Sequence, residues 1–262
     1  MKKTILITGA GSGIGKDVAL KLASLGHIVI ATVETEAQKI SLEDSIKNTS
    51  IQFEIRKLDI ANESERSIAS EYELDVLISA AGIGETGSLA EVPMQRVRKN
   101  FETNVFSTLE LIQVVLKKMM HKKQGTIIVV SSIAGRIPTS FLGPYSMTKF
   151  ALSGGVAAMR DEIHQVAPDV HISLVEPGAY ATGFNQRMFA TKYEWMDENS
   201  YFWPIIQKLK SQDEDFKKIE EQTTQGIVKK IVKAVDAHKP HLRYVAPWYQ
   251  GMYVRLLRIL GK

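Results

Sequence analysis

The chain has 262 residues, 44% hydrophobic and 24% charged, the profile of an ordinary globular protein with a full core and of a single domain over 1–262. Its 33 basic and 29 acidic residues are interspersed and leave a net charge of only +4, which argues against a clustered basic face for nucleic acid. With no cysteine it has no disulfide, no thiol nucleophile and no thiolate zinc site, and no metal is expected.

No segment reaches the roughly 18 apolar residues that a membrane span needs. Lys2 and Lys3 precede an apolar run too short for the core of a signal peptide. The composition therefore leads us to expect a soluble, cytoplasmic protein.

Thr4 to Thr8 is β-branched and apolar and reads as a strand. It runs into Gly9-Ala10-Gly11-Ser12-Gly13-Ile14-Gly15, which opens a helix from Ile14 to Leu25 that Gly26 caps. Glycines there let backbone N–H groups approach a phosphate, and the helix N-terminus adds a favourable dipole. The strand before, the helix after and the N-terminal position are the context that a dinucleotide site requires.

Further strands are predicted at His27 to Val33, Gln52 to Leu58, Asp75 to Ser79, Thr126 to Ser131, His171 to Glu176 and Arg243 to Ala246. Helices at Asn104 to His121 and Tyr145 to Val166 alternate with them. Seven strands alternating with helices predict a doubly wound, Rossmann-type α/β fold: a parallel seven-stranded sheet with helices on both faces. Gly183 to Gln225 breaks the alternation and is expected to be a partly helical, mobile insertion.

Tyr145-Ser146-Met147-Thr148-Lys149 sets a phenol and an ammonium about one turn apart on one helix face. A nearby cation favours the ionised phenol and so prepares it for proton exchange with a substrate oxygen. On spacing alone, a solvated lysine beside a half-buried tyrosine is the better reading. Ser131-Ser132 changes it by ending a strand at the carboxyl edge of the sheet, where ligands bind in such folds.

Gly9-x-x-x-Gly13-x-Gly15 preceded by Thr8, with Ser132 thirteen positions before Tyr145, resembles the short-chain dehydrogenase/reductase family, hydroxysteroid and retinol dehydrogenases in particular. The resemblance implies an NAD(P)-dependent oxidoreductase. In it Ser132 orients the substrate oxygen, Tyr145 transfers the proton, Lys149 binds the nicotinamide ribose and lowers the phenol pKa, and Asn104 holds a water in the proton relay. It further implies cofactor contacts from Thr8, Gly9, Gly11, Ser12, Gly13, Ile14 and Gly15 in the turn and from Asp59 and Ile60 beside the adenine. Ala81 and Gly82 would allow close approach, and Pro177, Gly178 and Thr182 would hold the carboxamide, with Tyr145 and Lys149 also touching the cofactor.

One departure is plain: the family usually has Asn-Asn-Ala-Gly where this chain has Ser79-Ala80-Ala81-Gly82, so an asparagine that braces the sheet is missing. The ribose 2′ position is read at the end of the second strand, at Thr32, Val33 and Glu34. Glu34 lies 19 residues after Gly15 and favours NAD, but the family's usual acid position falls at Thr32, whose hydroxyl accommodates either form, so NAD or NADP is expected with a slight lean to NAD.

The insertion carries Phe184, Met188, Phe189, Tyr193, Trp195, Met196, Tyr201, Phe202 and Trp203, which suits a lid over a bulky apolar alcohol or ketone. The same side chains could instead anchor the insertion or form an oligomer contact. Trp248 to Leu260, apolar and basic, reads as a terminal helix packed on its own domain or on a sister subunit, with peripheral membrane contact as the second reading. A homodimer or homotetramer is expected from the family. A catalytically silent dinucleotide sensor or scaffold is the alternative function, as is an epimerase of the related extended fold, for which the chain lacks a large C-terminal domain.

Overall fold

In the first strand, β1 (Thr4–Thr8), alternation sends Ile5 and Ile7 to one face and Leu6 to the other, and all three are fully buried. A strand of that kind needs cover on both sides. The computed structural model, which describes residues 1–261, supplies it.

The remaining strands are β2 (Ile28–Val33), β3 (Glu54–Lys57), β4 (Val76–Ser79), β5 (Gly125–Val130), β6 (Val170–Pro177) and β7 (Arg243–Ala246). All neighbours pair in parallel, in the order β3-β2-β1-β4-β5-β6-β7. Ten helices connect or flank them: α1 (Gly13–Ser24), α2 (Glu36–Ile46), α3 (Glu63–Arg66), α4 (Met94–Phe101), α5 (Thr108–Lys122), α6 (Gly143–His164), α7 (Phe184–Ala190), α8 (Ile206–Phe216), α9 (Gln225–Asp236) and α10 (Trp248–Ile259). Val18 and Leu22 of α1, Leu42 of α2 and Ile231 of α9 bury one face of the sheet; Leu111 and Val115 of α5 with Leu152 and Val156 of α6 bury the other.

The predicted fold class is the observed one, with strand ends displaced by a residue or two. The helix expected from Asn104 is more broken than its periodicity suggested. α4 ends at Phe101, a π-type stretch runs over Glu102–Ser107, and only then does α5 begin. Asn104 therefore sits in a widened turn, a feature that often marks functional sites. The segment after β6 is helical in parts, as expected, with α7, α8 and short 3₁₀ turns at Thr191–Glu194 and Trp203–Ile205.

β1 and β4 are adjacent, yet β1 connects outward to β2 and β4 connects onward to β5, so the strand order reverses between them. A crevice opens at the carboxyl ends of two strands at such a point. It is here that the bracing asparagine is absent. Thr8 ties β1 to the chain after β4: its buried Oγ1 accepts hydrogen bonds from the Ala80 and Ala81 amides, at 3.1 and 3.2 Å. On the far side β6 is fixed by Glu176, fully buried, which takes Arg136 at 2.9 Å and also Arg243 of β7.

The Thr8 brace makes a specific stability prediction. Thr8→Val keeps the shape but leaves two amide donors without an acceptor, which costs about 2 kcal/mol. Urea unfolding should show that loss for Thr8→Val and much less for Thr8→Ser; equal stability of all three proteins would contradict the brace.

Candidate active site

The turn between β1 and α1 is shaped by three close approaches. Gly9 has φ +68°, and a Cβ there would stand 2.7 Å from the Ala81 backbone; one at Gly15 would stand 2.3 Å from the Gly9 carbonyl oxygen. Gly13 has φ +53° and faces Thr182, whose Cβ would be 3.0 Å from an added Cβ. Only glycine fits this packing. Ser12, the N-cap of α1, makes no side-chain cap bond, so the first amides of the helix are left for an anion.

Gly9, Gly11, Ser12, Gly13, Ile14 and Gly15 all line one cavity of about 880 Å³ that runs along the carboxyl edge of the sheet. A glycine cradle open at a helix N-terminus fits the diphosphate of a dinucleotide.

Beyond the turn the cavity passes the ends of β2 and β3, where Glu34, Gln38, Asp59, Ile60 and Ala61 form its wall. Two of the residues expected to touch the cofactor here lie off the cavity. Thr32 and Val33 are both 0% exposed and do not line the cavity. The reason is the parallel sheet itself, which buries both faces of β2 up to its last residue, and the Thr32 carbonyl is taken by the Ala10 amide at 2.9 Å. Glu34, the first residue past the strand, is the one that reaches the cavity. Thr8 likewise lies one layer behind the wall, where its hydroxyl holds Ala80 and Ala81. Asp59 is on the wall and its Oδ1 accepts from the Ala61 amide at 2.9 Å, whereas the cap of the following helix is Asn62.

At the other end Tyr145, Lys149 and Ser132 meet. Tyr145 and Lys149 are four residues apart near the start of α6, a helix that Pro144 initiates in its first turn. The Lys149 ammonium lies 5.6 Å from the centre of the Tyr145 ring and donates to the Val130 carbonyl at 3.2 Å. Ser132 lies two residues past the end of β5 and caps a short 3₁₀ turn; its Oγ accepts from the Ala134 amide at 3.1 Å and points toward the Pro177 carbonyl at 3.5 Å. Ser131 by contrast is buried against Ser153, at 2.8 Å between hydroxyls, and serves packing.

Burial dominates the electrostatics of this group. Tyr145 is 7% exposed, and desolvation holds its phenol above the ordinary tyrosine range, opposed by a hydrogen bond from Ser132. Desolvation also pulls the Lys149 ammonium down to about 8. In the protein without cofactor the dry site disfavours the charged form of both groups, and the ammonium rests against the Tyr145 ring and the Val130 carbonyl.

Asn104 is fully buried and does not line the cavity. Its Oδ1 accepts from the Ile83 amide at 2.9 Å, and its Nδ2 lies 2.8 Å from the Ile83 carbonyl, 2.8 Å from Asn100 Oδ1 and 3.1 Å from Thr148 Oγ1. The amide is thus spent on fixing the chain after Gly82 against α6. A Cβ on Gly82 would be 3.1 Å from Asn104 Oδ1 and 3.7 Å from Lys149 Nζ, which shows how closely Ala81 and Gly82 are pressed toward the lysine. Pro177, Gly178 and Thr182 line the facing wall.

Several lining residues were not anticipated. Ile83, Gly84 and Leu142 come from loops, and Gln250, Tyr253 and Val254 from α10. Tertiary contacts alone bring α10 here, 100 residues beyond Lys149 in sequence, so no local motif could have announced it. The apolar side chains of the 183–225 segment divide. Phe184, Met188 and Phe189 line the cavity, with the Phe184 ring 5.8 Å from that of Tyr145. Tyr193, Trp195, Met196 and Phe202 instead pack with Ile206, Leu209 and Phe141 into a separate small core, and Tyr201 and Trp203 are exposed.

Comparison with known proteins agrees with this geometry. The model of the short chain dehydrogenase family matches residues 3–193. Retinol dehydrogenase 8 of Bos taurus is 31% identical over 257 residues, covering 92% of this chain and 80% of that protein. The 3-ketodihydrosphingosine reductase of Bacteroides thetaiotaomicron is 34% identical over 207 residues, covering 79% of this chain and 74% of its own length. A crystal structure of a short chain dehydrogenase/reductase from Burkholderia phymatum in complex with NAD superimposes with a TM-score of 0.83 at 19% identity, covering 97% of this chain and 92% of that one. A phosphate cradle and a buried phenol on one sheet edge are what a hydride-transfer enzyme needs, and with a relative aligned over 92% of the sequence the conclusion follows that this chain belongs to the short-chain dehydrogenase/reductase family, NAD(P)-dependent oxidoreductases of alcohol and keto groups.

Proposed function

We propose that the protein interconverts a bulky, largely apolar alcohol and its ketone or aldehyde, with NAD as the preferred cofactor. The observation that carries this reading is the lining of the cavity that reaches the Tyr145 phenol: Phe184, Met188, Ile83, Leu142 and Val254 of α10 are all apolar and all on it. Two relatives bear the names of enzymes for retinol and for 3-ketodihydrosphingosine, both long apolar molecules. We read 1–262 as one domain and the 183–225 segment as its substrate lid, anchored by its own small core.

The bound nicotinamide would supply or accept the hydride. The protein's own part is the proton and the orientation of the oxygen. Ser132 donates to or accepts from the substrate oxygen and fixes it beside the Tyr145 hydroxyl, which gives up its proton in reduction and takes one back in oxidation. Lys149 would hold the ribose and offers a positive charge below the phenol. Asn104 positions the 83–84 chain against α6 and so keeps Gly82 close to the lysine.

The lean to NAD rests on Glu34, the one side chain at the end of β2 that reaches the cavity; a carboxylate there accepts from ribose hydroxyls and repels a 2′-phosphate. Self-association as a dimer or tetramer is supported by Phe106, Met147 and Phe150, which are 52%, 40% and 42% exposed on packed neighbouring elements. Absence of cysteine supports a reducing compartment, the cytoplasm.

Turnover of a carbonyl panel comprising steroid, retinoid, long aliphatic and sugar compounds with both cofactors tests the reading; preference for a small hydrophilic carbonyl would overturn the substrate class. Tyr145→Phe should lower kcat by about 10²- to 10⁴-fold and leave cofactor affinity within about twofold. NADH should bind about tenfold tighter than NADPH, a difference near 1.4 kcal/mol, and Glu34→Ala should erase most of it. Tighter NADPH binding would reverse the assignment.

Lys149 generates a pH dependence. In the free protein its ammonium is present below about pH 8 and lost above it. A ribose contact that needs the ammonium therefore weakens as pH rises through that value. NADH titrations between about pH 7 and 9.5 should show falling affinity for the wild type and a flat, weaker profile for Lys149→Ala.

A further inference from the structure

α10 is held to the rest of the molecule by a narrow strip. Val254 is its one fully buried residue, and Gln250 anchors it by accepting from the Ala179 amide at 2.7 Å and donating to the Ile219 carbonyl at 3.0 Å. On the opposite side Trp248, Met252, Leu256 and Ile259 follow one another at helical spacing and are 74%, 58%, 54% and 74% exposed. Tyr249 and Tyr253 extend the same apolar arc. Arg255 and Arg258 flank it, both exposed, and neither pairs with a carboxylate among the described residues. The helix contains no acidic residue.

We propose that α10 docks this enzyme on the surface of a phospholipid membrane that contains anionic lipid. Tryptophan and tyrosine with aliphatic side chains on one face, and arginine at its border, are the composition that lies in the headgroup region. The charge is complementary: two unpaired guanidinium groups on a protein of net charge +4 meet anionic headgroups.

A second copy is the poorer occupant. The helix carries arginine and no carboxylate, so the same helix of a second copy offers it no opposite charge, whereas an anionic headgroup does. The arc also meets the cavity, because Tyr253 belongs to both and Ile219, 54% exposed, lines the cavity as well. Docking would turn the mouth toward the bilayer, so that an apolar substrate passes from lipid to Tyr145 without crossing water. That delivery step rests on the apolar-substrate reading; the docking itself does not.

Flotation of the full chain with vesicles of phosphatidylcholine alone and of phosphatidylcholine with phosphatidylserine tests it, without substrate or cofactor. Binding should be weak to the first and strong to the second. The double change Arg255→Gln with Arg258→Gln should weaken it by about tenfold or more, and so should Met252→Ser with Ile259→Ser. None of these four residues lines the cavity, so turnover of a water-miscible ketone should be unchanged. Failure to bind either vesicle, or binding indifferent to phosphatidylserine and to both double changes, would overturn the proposal. So would sedimentation showing a dimer that Met252→Ser with Ile259→Ser dissociates. Because vesicle binding is read without substrate, an apolar carbonyl panel that gives no turnover would remove the delivery step and leave the docking intact.

Discussion

The structure depends on the contact between the β1–α1 turn and the end of β4. Gly9 packs so closely on Ala81 that no side chain could stand between them, and Gly15 lets the turn fold back on itself. That closeness brings the start of α1 to the point where the strand order reverses. The phosphate cradle, the opening beside β2 and the approach to Lys149 all follow from it. Thr8 holds the same junction from behind.

The catalytic end is governed by a different balance. A phenol and an ammonium are both buried at the head of α6, and the dry surroundings disfavour the charged form of each. The hydrogen bond from Ser132 works against this for the phenol, and the Val130 carbonyl holds the lysine in place. The phenol is therefore held neutral while the ammonium persists below about pH 8, and a positive charge or hydrogen-bond donor brought into so dry a cavity acts on both more strongly than it would in water. The protein contributes position first, through rigid strand ends and a helix start, and Asn104 serves position as well.

Much of this was legible in the residues. Apolar runs of β-branched residues marked all seven strands, and the glycine turn and the Ser132, Tyr145, Lys149 spacing pointed to one sheet edge. What periodicity could not give was depth. Thr32 and Glu34 are two residues apart, yet only the structure tells that the sheet buries the first and releases the second. The widened turn at Asn104 left no trace in the hydrophobic pattern, because its buried amide satisfies backbone groups rather than an apolar face. Nor could the insertion's aromatics be sorted into lining and anchoring sets, since both uses select the same side chains. The place of α10 at the cavity mouth is wholly a matter of tertiary packing.

The central claim is that Tyr145, Ser132 and Lys149 serve hydride transfer between a nicotinamide and a carbonyl carbon within this cavity. Its most direct test is the fate of a label: incubate the protein with NADH carrying deuterium at the nicotinamide C4 position and a long-chain apolar ketone, and analyse the alcohol by mass spectrometry. Deuterium on the carbinol carbon, formed at least about 10²-fold more slowly with Tyr145→Phe, is the predicted result. Binding of both ligands with no labelled alcohol would contradict the account.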